Sequence, residues 1–462
     1  MSASTKEIGT GPGAWFGHIA DTLVGMGSGY AKALRNRRAR TVGLTVIIVL
    51  GLIYPVLHQQ FLAEFSRNVF PLPLPDDTAM TFMMIFAIMA VGLNIVVGFA
   101  GLLDLGYVAF YAIGAYVAAF LASPHWAGIG INLTFLGNVS PGAQGVHLPY
   151  WIVVIVAVVV VATFGALLGA PTLRLRGDYL AIVTLGFGEI VPLVFKNLSS
   201  LTISFTLGPI VIALENVNLT GGVQGINPID PPFLPFLNIL FDSRSGPLAV
   251  YLGIFLLAIA VVVARNLQFS RIGRAWMAIR EDETAAQMMG VNTVRSKLLA
   301  FALGASFAGV AGSLQASYLG ATTSDFFEFS TSILVLIMVI LGGIGNVWGV
   351  IVGAIALTYI DKTFLPYLSQ RVQDSAIPLP NPSTYNFLVY GIILLVMMRF
   401  RPQGFLPDRQ REAELSVAGL AEADVAMGVP VEVDNVSVAP PGQEETGPDA
   451  RSAETPGEAR DL

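Results

Sequence analysis

The stretch NLQFSRIGRAWMAIREDETAAQMMGVNTVRSK, residues 266–297, decides the fold. It is the only long polar segment between apolar runs, and it is rich in arginine. Residues 248–264 before it are apolar, and residues 298–319 after it are apolar again. Its middle reads as a short, capped helix. Asp282 can accept from the first free N–H groups, and Glu283 sits where the helix dipole favours negative charge. Ala285, Ala286, Gln287 and Met288 are good helix formers, and Gly290 is a natural stop. That gives about seven helical residues, roughly 10 Å at 1.5 Å per residue. A knob this short cannot form a domain, but on one face of a membrane protein it is the size to fit a groove in another subunit. Taken by itself, the segment reads more simply as a solvated loop.

Composition sets the context. The chain is 54% hydrophobic and 12% charged, with a mean hydropathy of +0.69, which puts it in the membrane class. Several runs approach or exceed the ~20 residues needed to cross a bilayer. There is no cysteine, which excludes disulfides, thiolate metal sites and catalytic thiols. The four histidines have no paired spacing, so neither a metal nor another cofactor is expected. From Asp408 onward there are 13 acidic and 4 basic residues, so of the net charge of −6 the remainder of the chain carries about +3. The first forty residues are polar and carry no secretory signal. A P-loop, a G-x-S-x-G elbow, an H-E-x-x-H helix and a dinucleotide fingerprint are all missing, so no enzyme activity is expected and the chain should not hydrolyse ATP itself.

Taken in order, the sequence predicts an all-α, polytopic transmembrane helix bundle of about ten spans with broken or re-entrant segments. Residues 1–40 end in a basic cluster, Lys32, Arg35, Arg37, Arg38 and Arg40, which abuts the first span at 41–57. Such a cluster is a cytoplasmic topology signal with lipid headgroup contact rather than a nucleic-acid site. Spans at 79–97 and 107–122 flank a glycine-rich break, GFAGLLDLG (98–106). Breaks of this kind often line cavities, so Asp104 is either a cavity residue or a cap at a helix end. The next spans are at 150–170 and from Gly177-Asp178 onward, joined by an inside turn with Arg174 and Arg176. Glu189 falls within the second of them, where a buried carboxylate serves either a transport path or a structural hydrogen bond. The apolar stretch at 203–214 is too short to span, and is read as re-entrant or lying on the outer surface. Further spans follow at 248–264, 298–319, 330–340, 347–360 and 385–398, with a proline-bearing outer loop at 361–384. Within 298–319, Ala300, Gly304, Ala308 and Gly312 form one small-residue stripe and Ala305, Gly309 and Ser313 another, a pattern for close helix packing. The domain reading is a cytoplasmic segment at 1–40, a membrane domain at 41–402, and a disordered acidic cytoplasmic tail at 403–462.

Three strings carry a resemblance. RIGRAWMAIREDETAAQMMGVN (271–292), GLNIVVGFAGLLDLGYVAFYAIGAY (92–116) and RLRGDYLAIVTLGFGEI (174–190) resemble permeases of branched-chain amino-acid ABC importers, in particular the larger (M-type) subunit. TGGVQGI (220–226) is similar to that family's external glycine-rich segment. Ala285-Ala286-x-x-x-Gly290 resembles the coupling loop that docks into the ATPase subunit. This chain departs from that signature in having Thr284 directly before the alanines, with Glu283 one place earlier. The resemblance covers roughly 80–405 and implies an ATPase-coupling set of Arg274, Arg280, Glu281, Asp282, Glu283, Ala285, Ala286 and Gly290. It also implies a second, different permease, two ATP-binding subunits and a periplasmic substrate-binding protein in a bacterial inner membrane, with both termini cytoplasmic. Urea and short-chain amide importers share these motifs, so substrate choice between Leu, Ile and Val on one side and urea on the other stays open. A self-contained secondary transporter would need paired intramembrane ionisable residues; only Asp104, Glu189 and Lys196 are present, without a repeat.

Overall fold

A backbone in lipid must satisfy its own hydrogen bonds, so the long apolar runs of this sequence have one solution, the helix. The computed structural model describes residues 54–55, 73–129, 132–134, 144–172, 178–199, 201–207, 210–234, 239–241, 246–374, 382–401, 403–406, 432–433 and 436–437. Its helices in order are α1 (Asp77–Asn94), α2 (Tyr107–Leu121), α3 (Tyr150–Thr172), α4 (Asp178–Asn197), α5 (Pro247–Phe269) and α6 (Arg271–Glu281). There follow α7 (Glu283–Met288), α8 (Thr293–Leu319), α9 (Phe329–Gly342), α10 (Val347–Tyr359), α11 (Leu365–Asp374) and α12 (Asn386–Phe400). Six helical stretches are long and apolar enough to cross a membrane, and three more are shorter and apolar. The span at 41–57 lies outside the described residues except for residues 54–55, as do residues 1–40 and the Arg174–Arg176 turn.

The 27-residue α8 is the axis of the bundle. It packs against α1, α2 and α3, while α1 also packs against α5, α9 and α10. The two small-residue stripes of α8 make this possible, and Gly309 touches both α2 and α3. Tyr107 Oη donates to Gly304 O at 2.8 Å, and a Cβ on Gly114 would sit 2.6 Å from the Cα of Gly309, so α2 and α8 touch backbone to backbone. On the other side Ala305 and Gly309 meet Gly165 and Val161 of α3. Interhelical contact in lipid rests on such packing and not on a hydrophobic driving force.

Two helices are widened rather than ended. A π-helical turn, Ile95–Phe99, closes α1 and leads into the break, and a second, Ile360–Phe364, joins α10 to α11. The second corrects the expected loop at 361–384, because the chain stays helical to Asp374. Pro366 lacks the N–H that would continue the ladder, and the wide turn just before it absorbs the missing bond. A further correction concerns 203–214. The stretch expected to be re-entrant or to lie on the outer surface is part of an antiparallel hairpin of two strands, Leu201–Leu207 and Ile210–Val217. LTISFTL alternates apolar and polar residues with period two. Counting apolar residues hid that period.

Residues 403–406 are not the start of the tail. Phe405 N and Leu406 N donate to Leu341 O and Gly342 O, at 2.9 and 3.1 Å, and Asn346 Nδ2 donates to Leu406 O at 2.9 Å. Residues 407–462 form a separate unit, in which the described part is the two-residue strands Glu432–Val433 and Val436–Ser437.

Candidate coupling site and the broken helix

The polar elbow folds as two capped helices set end to end. Ser270 stops α5 and caps α6, its hydroxyl accepting from Gly273 N at 3.1 Å. Asp282 then ends α6 and caps α7, its Oδ1 accepting from Thr284 N at 2.7 Å and Ala285 N at 3.0 Å. A cap of this kind is worth about 1 kcal/mol, enough to fix the boundary between two helices of only 11 and 6 residues. Gly290 closes the unit at φ +86°, a conformation an L side chain rarely adopts, with Val291 N donating back to Ala286 O at 3.0 Å.

The elbow is seated on the base of α8. Trp276 is fully buried, and its Nε1 donates to Ser296 O at 2.7 Å. Lys297, only 6% exposed, places Nζ 2.6 Å from Glu283 Oε1. Ala286 faces inward and is 4% exposed, whereas Met288 and Met289 are 82% and 85% exposed and Ala285 is exposed beside them. Two solvent-facing methionines on a rigid knob offer an adaptable apolar contact to another protein.

Arg280 points the other way, into the bundle. Its Nη1 donates to Gly98 O at 2.7 Å, inside the π-helical turn that ends α1. Gly101, at φ +68°, lies flat against the same side chain, since a Cβ there would come within 2.6 Å of Arg280 Cγ. Gly98 is also the place where Asn94 crosses to the glycine turn after α9, its Oδ1 accepting from Gly345 N at 2.8 Å. A Cβ on Gly98 would collide with that carboxamide. One glycine thus joins the elbow, the broken helix and the 342–346 turn.

The sequence-predicted residues sort themselves accordingly. Asp282 and Gly290 define the ends of α7, Glu283 anchors it, and Ala285 lies on its outer face. Arg274 is exposed and donates to Phe269 O at 3.0 Å, and Glu281 is exposed. Asp104 is 2% exposed and caps the turn into α2, with Oδ1 accepting from Gly106 N at 2.9 Å. Thr184 binds the same break, accepting from Leu105 N at 3.1 Å. Asp104 also lines a cavity of about 10 Å³, room for one water, and its Oδ2 has no hydrogen-bond partner among the described residues. Glu189 departs from expectation. It is exposed on α4, not buried, because hydropathy identifies a span but not the face each residue takes. Asn94, Gly98, Trp276, Lys297 and Gly345 were not singled out by sequence. Their signal is a lone Asn four residues before a Gly in an apolar run, and a lone Lys opening a span.

Among the described residues no group of three or more His, Cys, Asp or Glu side chains could hold a metal. A bundle of apolar helices, one of them broken and tied to a capped elbow, defines a multi-pass membrane permease. A family described as "Branched-chain amino acid transport system / permease component" matches residues 77–398. The chain belongs to that family. It is 35% identical over 365 residues to the high-affinity branched-chain amino acid transport system permease protein LivM of Salmonella typhimurium, covering 75% of this chain and 73% of that one. To the protein of the same name from Escherichia coli K12 it is 35% identical over 354 residues, covering 72% and 71%. Permease protein LivH of the same E. coli strain is 25% identical over 321 residues, covering 70% of this chain and 91% of LivH. No solved structure matches the chain.

Proposed function

We propose that this chain is one of two unlike permease subunits of an ABC importer that carries leucine, isoleucine and valine across a bacterial inner membrane. ATP hydrolysis takes place on two separate ATP-binding subunits, and a periplasmic binding protein delivers the amino acid. In this reading the elbow and both termini are cytoplasmic, residues 1–40 contact lipid headgroups, and 407–462 is a solvated acidic tail. The knob α7 docks into an ATP-binding subunit through Ala285, Met288 and Met289, while Asp282, Glu283, Ala286 and Gly290 hold its shape. Arg274 and Glu281 flank the contact. Arg280 carries the displacement inward.

The observation behind this reading is the tie from Arg280 to Gly98, which links a protruding helix to the broken span at 2.7 Å. A merely solvated loop needs no such anchor. The test is purification from the native membrane in mild detergent, with mass spectrometry of the accompanying proteins and uptake assays in proteoliposomes. Two ATP-binding subunits, a second permease and ATP-dependent leucine uptake support the proposal. Urea uptake without leucine uptake would move the substrate to the amide class, and solute movement by the isolated chain without ATP would refute coupling altogether.

A further inference from the structure

At the end of the bundle away from α6 and α7, a cavity of about 250 Å³ opens between α1, α8, α9, the π-helical turn at Ile360–Phe364 and α12. It is smaller than the ~300–1,000 Å³ of drug-sized sites and suits a small metabolite. Phe82 and Phe86 supply apolar wall. Opposite charges sit side by side on the wide turn. Lys362 Nζ lies 3.0 Å from Asp361 Oδ2 and 5.4 Å from the Phe82 ring centre, and the Tyr390 hydroxyl donates to Asp361 Oδ1. The Asp361 side chain is 13% exposed and that of Lys362 41%, so the cation reaches the opening while the anion lies deeper. Ionisable groups inside a membrane domain are costly, and π-helical turns recur at functional sites.

Gln315, 6% exposed, and Tyr111, 1% exposed, both line this cavity. The Gln315 amide oxygen and the Tyr111 hydroxyl have no hydrogen-bond partner among the described residues. Both atoms are themselves closed off from the cavity, so these residues serve as its wall, and the exposed charge of Lys362 with the deeper Asp361 is what a ligand meets.

We infer that this cavity is a binding site for a zwitterionic α-amino acid with an apolar side chain. The carboxylate meets Lys362, the ammonium meets Asp361, and the side chain lies against Phe82 and Phe86. A ligand carrying both charges replaces each half of the Asp361–Lys362 pair. A neutral solute such as urea has nothing to exchange for that pair. The inference rests on the proposed leucine transport and goes further, giving the permease a site of its own apart from the binding protein.

The test uses the complete transporter in nanodiscs, without binding protein, and radiolabelled leucine. The expected result is saturable binding displaced by isoleucine and valine. Isocaproate, which lacks the ammonium, isoamylamine, which lacks the carboxylate, and urea should each displace at least tenfold less well. Asp361→Asn and Lys362→Met should each weaken leucine binding at least tenfold, with assembly read from co-elution of the partner subunits. The competition series needs no variant and stands even if one fails to assemble. Leucine uptake by the wild type without leucine binding, equal displacement by the single-charge analogues, or unchanged binding in both variants overturns the site and leaves the transport function standing. Absence of leucine uptake by the wild type overturns both.

Discussion

Arg280→Met isolates the joint between the elbow and the broken helix. The substitution keeps length and apolar stem but removes the bond to Gly98 O at 2.7 Å. Gly98 is buried, so its carbonyl loses a charged donor where water does not readily replace it. Hydrogen bonds to charged groups contribute about 1.5–3 kcal/mol, and partial exposure of Arg280 argues for the lower half, about 1.5–2 kcal/mol. An energy of that size corresponds to a factor of roughly 10–30 in the population of a state in which the elbow tracks the break. The assay measures ATP hydrolysis and leucine uptake together, in proteoliposomes containing the whole transporter. Hydrolysis should persist while leucine moved per ATP falls about tenfold. Arg399→Met is the control, because Arg399 is exposed in the last turn of α12, outside the elbow, so its effect should stay within about 0.5 kcal/mol. Equal coupling ratios for Arg280→Met and the wild type would refute the mechanical role of the joint.

Gly290→Val tests the turn after α7. No atom lies within 4 Å of a Cβ placed there, so the cost is purely conformational, at least the 1–2 kcal/mol of a left-handed L residue. Uptake should be lost while the amount of protein in the membrane is unchanged, as read by immunoblot of membrane fractions. Ala285→Arg and Ala286→Arg should both abolish uptake for different reasons. The first blocks an exposed face, and the second forces a charge into a site that is 4% exposed, so only Ala286→Arg should make the elbow newly sensitive to trypsin. Deleting 410–462 should leave uptake intact, whereas deleting from 403 removes the bonds to Leu341, Gly342 and Asn346 and should lower the thermal stability of the purified complex.

How far the sequence revealed these features follows from which interactions are local. The cap at Asp282 and the stop at Gly290 were legible because each depends on neighbours a few residues away. The small-residue stripes of α8 were legible because helical period alone assigns them to faces. The hairpin at 201–217 was also local, but its signal lay in alternation rather than in apolar content. What stayed hidden was the joint, since Asn94, Gly98, Arg280 and Gly345 come from three separate parts of the chain. Arg280 looked like its exposed neighbour Arg274, and nothing in the spacing says that one turns inward. The exposed position of Glu189 on α4 stayed hidden for the same reason. Hydropathy averages around a helix, whereas exposure depends on which face its neighbours cover.

The elbow and the amino-acid cavity share two walls, and that makes their linkage measurable. The helix α8 starts at the seat of Trp276 and Lys297 and reaches the cavity at Gln315, while α1 runs from the cavity wall at Phe82 and Phe86 to the π-helical turn that holds Gly98. At 1.5 Å per residue, α8 is about 40 Å long. Its stripes hold it against α2 and α3 at backbone contact, so a shift at its base moves it as a body. A displacement of α8 relative to α1 therefore changes the distance between Gln315 and the Phe82–Phe86 wall. Linkage then requires leucine affinity to differ between nucleotide-free and ATP-bound transporter, and ATP affinity to differ by the same factor with and without leucine. The expected difference is 5-fold or more, the lower end of typical coupling energies of about 1–3 kcal/mol. Arg280→Met should shrink it toward unity without changing leucine affinity in the nucleotide-free state. A leucine affinity that ignores nucleotide in the wild type would show that the shared helices do not carry the signal.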